Sequence, residues 1–213
     1  MKILFVGNSY TYYNDLPAIL ERLIRDQGQE AQVFSVTKGG WKLHRYLDLQ
    51  DENAAKFEQA MENAPFDVVF LQEQSLNPLL DYEQFADGVK RVAERVGAKR
   101  TVLYQTWGRK EGHAALEEHG WTRKEMTEGL AEAYQKAAAA IGAEVSPVGT
   151  RFWEVGQMMP EQELYDPDRT HPSYAGSCLA AMTHYKALFG AVPENLSSLQ
   201  LSEEVLALYK KMI

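Results

Sequence analysis

Five short apolar runs, separated by stretches with helical spacing, constrain this chain more than any other feature of it. They are Ile3-Leu4-Phe5-Val6, ending at Gly7; Ala31 to Val36, followed by Gly39-Gly40; Asp67-Val68-Val69-Phe70-Leu71; Thr101-Val102-Leu103-Tyr104; and the weaker Glu144-Val145-Ser146-Pro147-Val148. Continuous apolar runs rich in β-branched residues suit strands covered on both faces, as in a parallel sheet. Between them, Ile19, Leu20, Leu23 and Ile24 form a helical stripe, with Asp15 near its start, Pro17 in the first turn and Gly28 at the stop. Phe85, Val89, Val92 and Val96 repeat at helical spacing up to Gly97. Thr122 with Glu125 makes a capping box that opens a long helix through Ala140. Ala175, Leu179, Met182 and Phe189 mark a helix after Pro172, and a last one runs from Ser202 to the end. This alternation predicts a doubly wound sheet with helices on both faces.

With 213 residues and no linker, repeat or low-complexity tract, the chain reads as one domain, 1–213. The net charge of −8 and the lack of a basic stripe argue against a nucleic-acid partner. A single cysteine, Cys178, allows no internal disulfide. No signal-peptide core and no run of about 18 apolar residues is present, so a cytoplasmic protein without a membrane partner is expected. Nothing in the sequence fixes an oligomeric state.

Ligands in doubly wound sheets bind beyond the carboxyl ends of the strands, so the residues after each apolar run carry the functional information. After the first comes Gly7-Asn8-Ser9-Tyr10-Thr11, a sharp turn that brings a serine to the mouth of a site. After the second come Lys38-Gly39-Gly40-Trp41, where paired glycines let a backbone N–H approach a ligand, or simply make a tight turn. After the third come Gln72-Glu73-Gln74-Ser75, whose amides can donate to a developing negative charge or face solvent. The sharpest signal is Asp166-Pro167-Asp168-Arg169-Thr170-His171-Pro172. An Asp three residues before a His can fold its carboxylate onto the imidazole; Asp166 is the other available partner. No phosphate-binding glycine loop and no His-Glu-x-x-His zinc spacing occurs. His44 follows the glycine pair and is the other histidine with a route to the site. Trp41, Trp107 and Trp153 lie near strand ends, where their faces can stack on a sugar, hold an acyl group or pack in the core.

Taken together, these segments resemble the SGNH/GDSL hydrolase superfamily, over residues 3 to about 190. Gly-Asn-Ser-Tyr, Gly-Gly-Trp and Leu-Gln-Glu-Gln-Ser point further to its DUF4886-like bacterial branch. The resemblance implies a flavodoxin-like three-layer α/β/α fold around a five-stranded parallel sheet. It also implies a serine esterase with Ser9 as nucleophile and Asp168 and His171 as the supporting pair. An oxyanion hole is implied at the N–H groups of Ser9 and Gly40 (Gly39 being the near alternative) and at an amide from Gln74, or from Gln72 instead. Two positions depart from the family pattern: Asn8 stands where the family has Asp, and Gln72-Glu73-Gln74-Ser75 replaces Gly-x-Asn-Asp. Such chemistry uses no metal or organic cofactor and takes a small-molecule ester. A small-acyl ester, an acetylated sugar for example, is the expected substrate. The rival expectation is a non-catalytic small-molecule binding module that keeps the fold.

Overall fold

A computed structural model describes all residues from Met1 to Ile213. The five expected strands form: β1 (Lys2–Gly7), β2 (Gln32–Thr37), β3 (Val68–Leu71), β4 (Arg100–Tyr104) and the short β5 (Glu144–Ser146). All pair in parallel, in the order β2-β1-β3-β4-β5. The helices are α1 (Ser9–Tyr12), α2 (Leu16–Asp26), α3 (Glu52–Met61), α4 (Asn77–Leu80) and α5 (Tyr82–Val96). They continue as α6 (Ala114–His119), α7 (Arg123–Ile141), α8 (Val148–Met158), α9 (Tyr174–Phe189) and α10 (Glu203–Met212).

Side chains of a strand alternate between faces, and β1 feeds two cores in this way. Ile3 and Phe5 pack with α2, α8, α9 and α10, whereas Leu4 and Val6 pack with α3, α5 and α7. The result is the three-layer flavodoxin-like arrangement. Helix ends follow local chemistry. Thr122 and Glu125 form the reciprocal capping box at α7, and Ser173 caps α9 through the Gly176 N–H. The fifth apolar run is shorter as a strand than it reads: β5 stops at Ser146, and Val148 already opens α8. Helix α3 lacks a clear apolar stripe in the sequence. In α3 only Asn53, Ala54 and Phe57 are buried.

This strand order has its switch point between β1 and β3, where successive crossovers leave the sheet on opposite sides. Gly7 and Leu71 end these two neighbouring strands, so the loops carrying Ser9 and Gln74 emerge side by side. Gly7 has to be glycine. A Cβ there would sit 2.5 Å from Thr11 Oγ1 and 2.7 Å from Gln72 Oε1.

Candidate active site

Ser9 is the first residue of α1, and its N–H has no partner within the helix, as is usual for a first-turn amide. The serine itself is only 7% exposed. Asn8 sets its position from both ends of one amide: Oδ1 accepts from the Tyr10 N–H at 3.1 Å, and Nδ2 donates to the Trp41 carbonyl at 3.1 Å. An aspartate could cap the turn but could not donate to Trp41. Asn8 thus ties the Ser9 turn to the Gly39-Gly40 loop, which accounts physically for the departure from the family pattern.

The fold brings together residues 162 positions apart: Ser9 Oγ lies 2.8 Å from His171 Nε2. On its other side, His171 Nδ1 is hydrogen-bonded to Asp168 Oδ2. Asp168 Oδ1 accepts from the backbone N–H groups of Thr170 at 3.0 Å and His171 at 2.9 Å. Burial alone would raise the pKa of Asp168, but these hydrogen bonds outweigh it and hold the carboxyl below its usual range. Asp166 serves the loop through its backbone, its N–H donating to the His171 carbonyl at 2.9 Å. The Tyr13 ring stacks on the imidazole at 4.1 Å, with 7° between the planes.

Gly40 adopts φ +68°, a left-handed conformation that glycine takes without strain, and its N–H is free. The two glutamines separate cleanly. Gln72 is buried, with Oε1 accepting from the Asn8 N–H and Thr11 Oγ1 and with Nε2 committed to the Glu73 carbonyl. Gln74 Oε1 accepts from the N–H groups of Leu76 and Asn77 at 2.9 and 3.0 Å, which fixes which end of its amide is oxygen. Its Nε2 is left without a partner in the chain. Ser9, Gly40, Gln74 and His171 line one cleft of about 210 Å³, together with Asn8, Tyr10, Ser75, Arg109 and Thr170.

Beneath this cleft Glu73 is wholly buried and accepts from the Gln74 N–H at 2.7 Å and the Leu43 N–H at 3.3 Å. It therefore braces both loops that flank Ser9. Burial drives its carboxyl up to about 7 against the lowering effect of those hydrogen bonds. Between the ordinary value of 4.5 and about 7, the folded chain holds a proton that the unfolded chain releases, so stability falls as pH rises through that window. Glu73→Gln has no such proton. Its stability relative to the wild type is expected to improve between pH 5 and pH 8, by up to about 3 kcal/mol in denaturant melts. Equal differences at the two pH values would show that the carboxyl titrates normally.

Neither the tryptophans near strand ends nor the other histidines line the cleft. Trp107 is fully buried, stacked between Tyr10 at 4.4 Å and Phe152 at 4.1 Å, so its faces are not available to a sugar. Arg45 covers the Trp41 ring at 3.6 Å, and Trp153 sits on α8 outside the cleft. His44 packs against α5 beside Gly88 and does not line the cleft. His184 is a core residue, bonded to Ser146 Oγ at 2.8 Å and held neutral by burial, its pKa down to about 3. Conversely Tyr13, Ser75, Arg109 and Thr170 belong to the site without having stood out in the sequence.

A serine turn after β1, a free glycine N–H after β2, an amide after β3 and an Asp-x-x-His loop before the last crossing helix form the arrangement that the resemblance to SGNH hydrolases implies. A solved protein from Slackia heliotrinireducens, classed as an SGNH hydrolase, is 34% identical to this chain. The match covers 88% of this chain and 98% of that one, with a TM-score of 0.76. The chain belongs to the SGNH/GDSL hydrolase superfamily, a group of carboxylic-ester hydrolases. A DUF4886 family protein from Bacteroides uniformis shares the fold at 20% identity and TM-score 0.77, over 100% of this chain and 91% of that one. An acetylxylan esterase from Geobacillus stearothermophilus does so at 13% identity and TM-score 0.63, over 88% and 94%. No family model matches the sequence, and no curated protein does. No helix is long and apolar enough to cross a membrane.

Proposed function

We propose that the protein is a serine esterase that removes a small acyl group, acetyl above all, through an acyl-enzyme on Ser9. The observation that carries this reading is the continuous hydrogen-bond line from Ser9 Oγ through His171 to Asp168. His171 Nε2 takes the Ser9 proton as Oγ adds to the ester carbonyl. Asp168 holds the Nδ1–H tautomer and stabilises the imidazolium. The oxyanion is received by the N–H groups of Ser9 and Gly40 and by Gln74 Nε2, three donors with no competing partner in the chain. The tetrahedral intermediate expels the alcohol, which takes the proton from His171. Water, deprotonated by the same imidazole, then attacks the acyl-enzyme, and the proton returns to Ser9 Oγ as the acid leaves. A cleft of about 210 Å³ has room for a short acyl group rather than a long chain. The acetylxylan esterase among the structural neighbours agrees with acetyl.

A fluorophosphonate probe tests the nucleophile. Labelling is expected at Ser9 and should disappear in His171→Ala; folded protein that takes no label would overturn the reading. Gln74→Glu keeps the oxygen that Leu76 and Asn77 use, but puts a carboxylate oxygen where the donor stood. A 10²–10³-fold drop in kcat is expected, the scale of one lost oxyanion donor. A kcat within threefold of wild type would remove Gln74 from the oxyanion hole.

A further inference from the structure

Arg109 is the one full charge among the residues lining the cleft; no Asp or Glu joins it there. No carboxylate oxygen lies within salt-bridge distance of its guanidinium, although the chain as a whole carries a net charge of −8. Its neutral contacts do not use up its donors. Nη2 donates to Ser75 Oγ at 3.0 Å. Nη1 meets His113 Nε2 at 2.6 Å, while the Ala115 N–H points at Nδ1 of the same ring at 3.0 Å. Burial, and then the Arg109 charge itself, hold His113 below its usual pKa, so the ring is neutral and offers a single acceptor nitrogen. Of the two N–H groups aimed at it, only one is satisfied. Arg109 Nε is shut away from solvent with no acceptor at all. A partly buried cation with neither a counter-charge nor a full set of acceptors is costly in a free protein, unless a ligand supplies what is missing.

The surroundings hold it in place. Arg109 is joined through Ser75 to the loop after β3. The loop after β4 is fixed to the Asp168 loop by the Lys110 N–H on the Arg169 carbonyl at 3.0 Å and by Arg169 Nη1 on the Gly112 carbonyl at 2.7 Å. The guanidinium is thus part of the same rigid wall as His171, on the side of the cleft away from Gly40's loop.

We propose that Arg109 receives a carboxylate carried by the substrate, so that the preferred esters are small-acyl esters of an acidic molecule. This rests on the reading of Ser9 as the nucleophile of an esterase. The planar guanidinium suits a carboxylate in geometry as well as charge, and the acidic surface elsewhere leaves the cleft as the place where such a group is welcome.

The test compares 3- and 4-acetoxybenzoate with the corresponding acetoxybenzamides, which carry the same acetyl ester without the charge. In the wild type, kcat/KM for at least one benzoate should exceed that for its amide by about tenfold or more, the scale of a charge-assisted hydrogen bond. The ratio should fall to about one in Arg109→Gln and remain partial in Arg109→Lys, each variant being checked for folding by circular dichroism. Calorimetric binding of the same compounds to Ser9→Ala reads the anion site without turnover. A tenfold preference for the benzoate there should be absent in Ser9→Ala/Arg109→Gln. Equal wild-type values for both members of each pair, or a preference that survives Arg109→Gln, would overturn the proposal while leaving the esterase intact. A benzoate preference in binding, with no labelling or turnover at Ser9, would instead overturn the esterase reading alone.

Discussion

Replacing His171 by alanine is expected to lower kcat/KM on an acetyl ester by about 10⁴-fold or more, without unfolding the protein. The size of the loss follows from what the proposed mechanism asks of the imidazole in each half of the reaction. Ser9 has no other base within reach: the only hydrogen bond of its hydroxyl is the one to Nε2 at 2.8 Å. Without the ring, the serine has to attack as a neutral alcohol and the alkoxide has to leave unprotonated. The fold should survive because the loop does not depend on the ring. Its shape is set by the Asp166 N–H on the His171 carbonyl, by the Tyr165–Pro172 bridge and by Asp168 Oδ1 on two backbone amides. What is lost is the stack on Tyr13, the edge contact with Tyr10 and the bond to Asp168 Oδ2. Groups that act as one unit are not additive, so Ser9→Ala/His171→Ala should be no slower than either single variant. A residual activity within tenfold of wild type would mean that another group does the proton transfer.

How much of this could be read in advance depended on how local each feature is. The strand runs and the capping box at Thr122 are written within a few residues, and they appear where the sequence places them. The Asp168–His171 pair is equally local, since a three-residue spacing in a Pro-bounded loop leaves the carboxylate little choice. The Ser9–His171 contact is different in kind. It spans 162 positions and exists only because β1 and the loop before α9 open on the same edge of the sheet. Gln72 and Gln74 could not be ranked from sequence for a related reason. Residues two apart leave a strand end on a backbone that is already turning, and Gln72 goes under the Ser9 turn while Gln74 faces the cleft. The sequence leaves Trp107 open between rim and core because a strand end is both. Tyr10 and Phe152, which enclose it, come from segments far away in the chain. Arg109 escaped notice because an arginine after a strand is ordinarily a solvated charge. Only its partners Ser75 and His113, and the absence of a carboxylate, give it meaning.

Asp168→Asn should be nearly as damaging as loss of the histidine, about 10⁴-fold in kcat, although it changes one atom for another of the same size. The geometry dictates why. Asp168 Oδ1 is held by the backbone N–H groups of Thr170 and His171, which can only donate. In the asparagine variant the side-chain oxygen must take that place, so the new NH2 group faces His171 Nδ1. An NH2 donor there selects the tautomer in which Nδ1 is bare and Nε2 carries the hydrogen. In the proposed mechanism Nε2 is the nitrogen that accepts the Ser9 proton, and in that tautomer it cannot. Asp168→Ala removes the same charge but imposes no tautomer, so it should be no slower than Asp168→Asn and is expected to be faster. The imidazole 15N shifts give a second, activity-independent reading. The protonated nitrogen of neutral His171 should be Nδ1 in the wild type and Nε2 in the asparagine variant. Should Asp168→Asn instead keep the wild-type tautomer, or retain kcat within tenfold, the carboxylate would be no more than a tether for the loop. The base at Ser9 would then owe its orientation to its aromatic contacts, the Tyr13 stack and the Tyr10 edge.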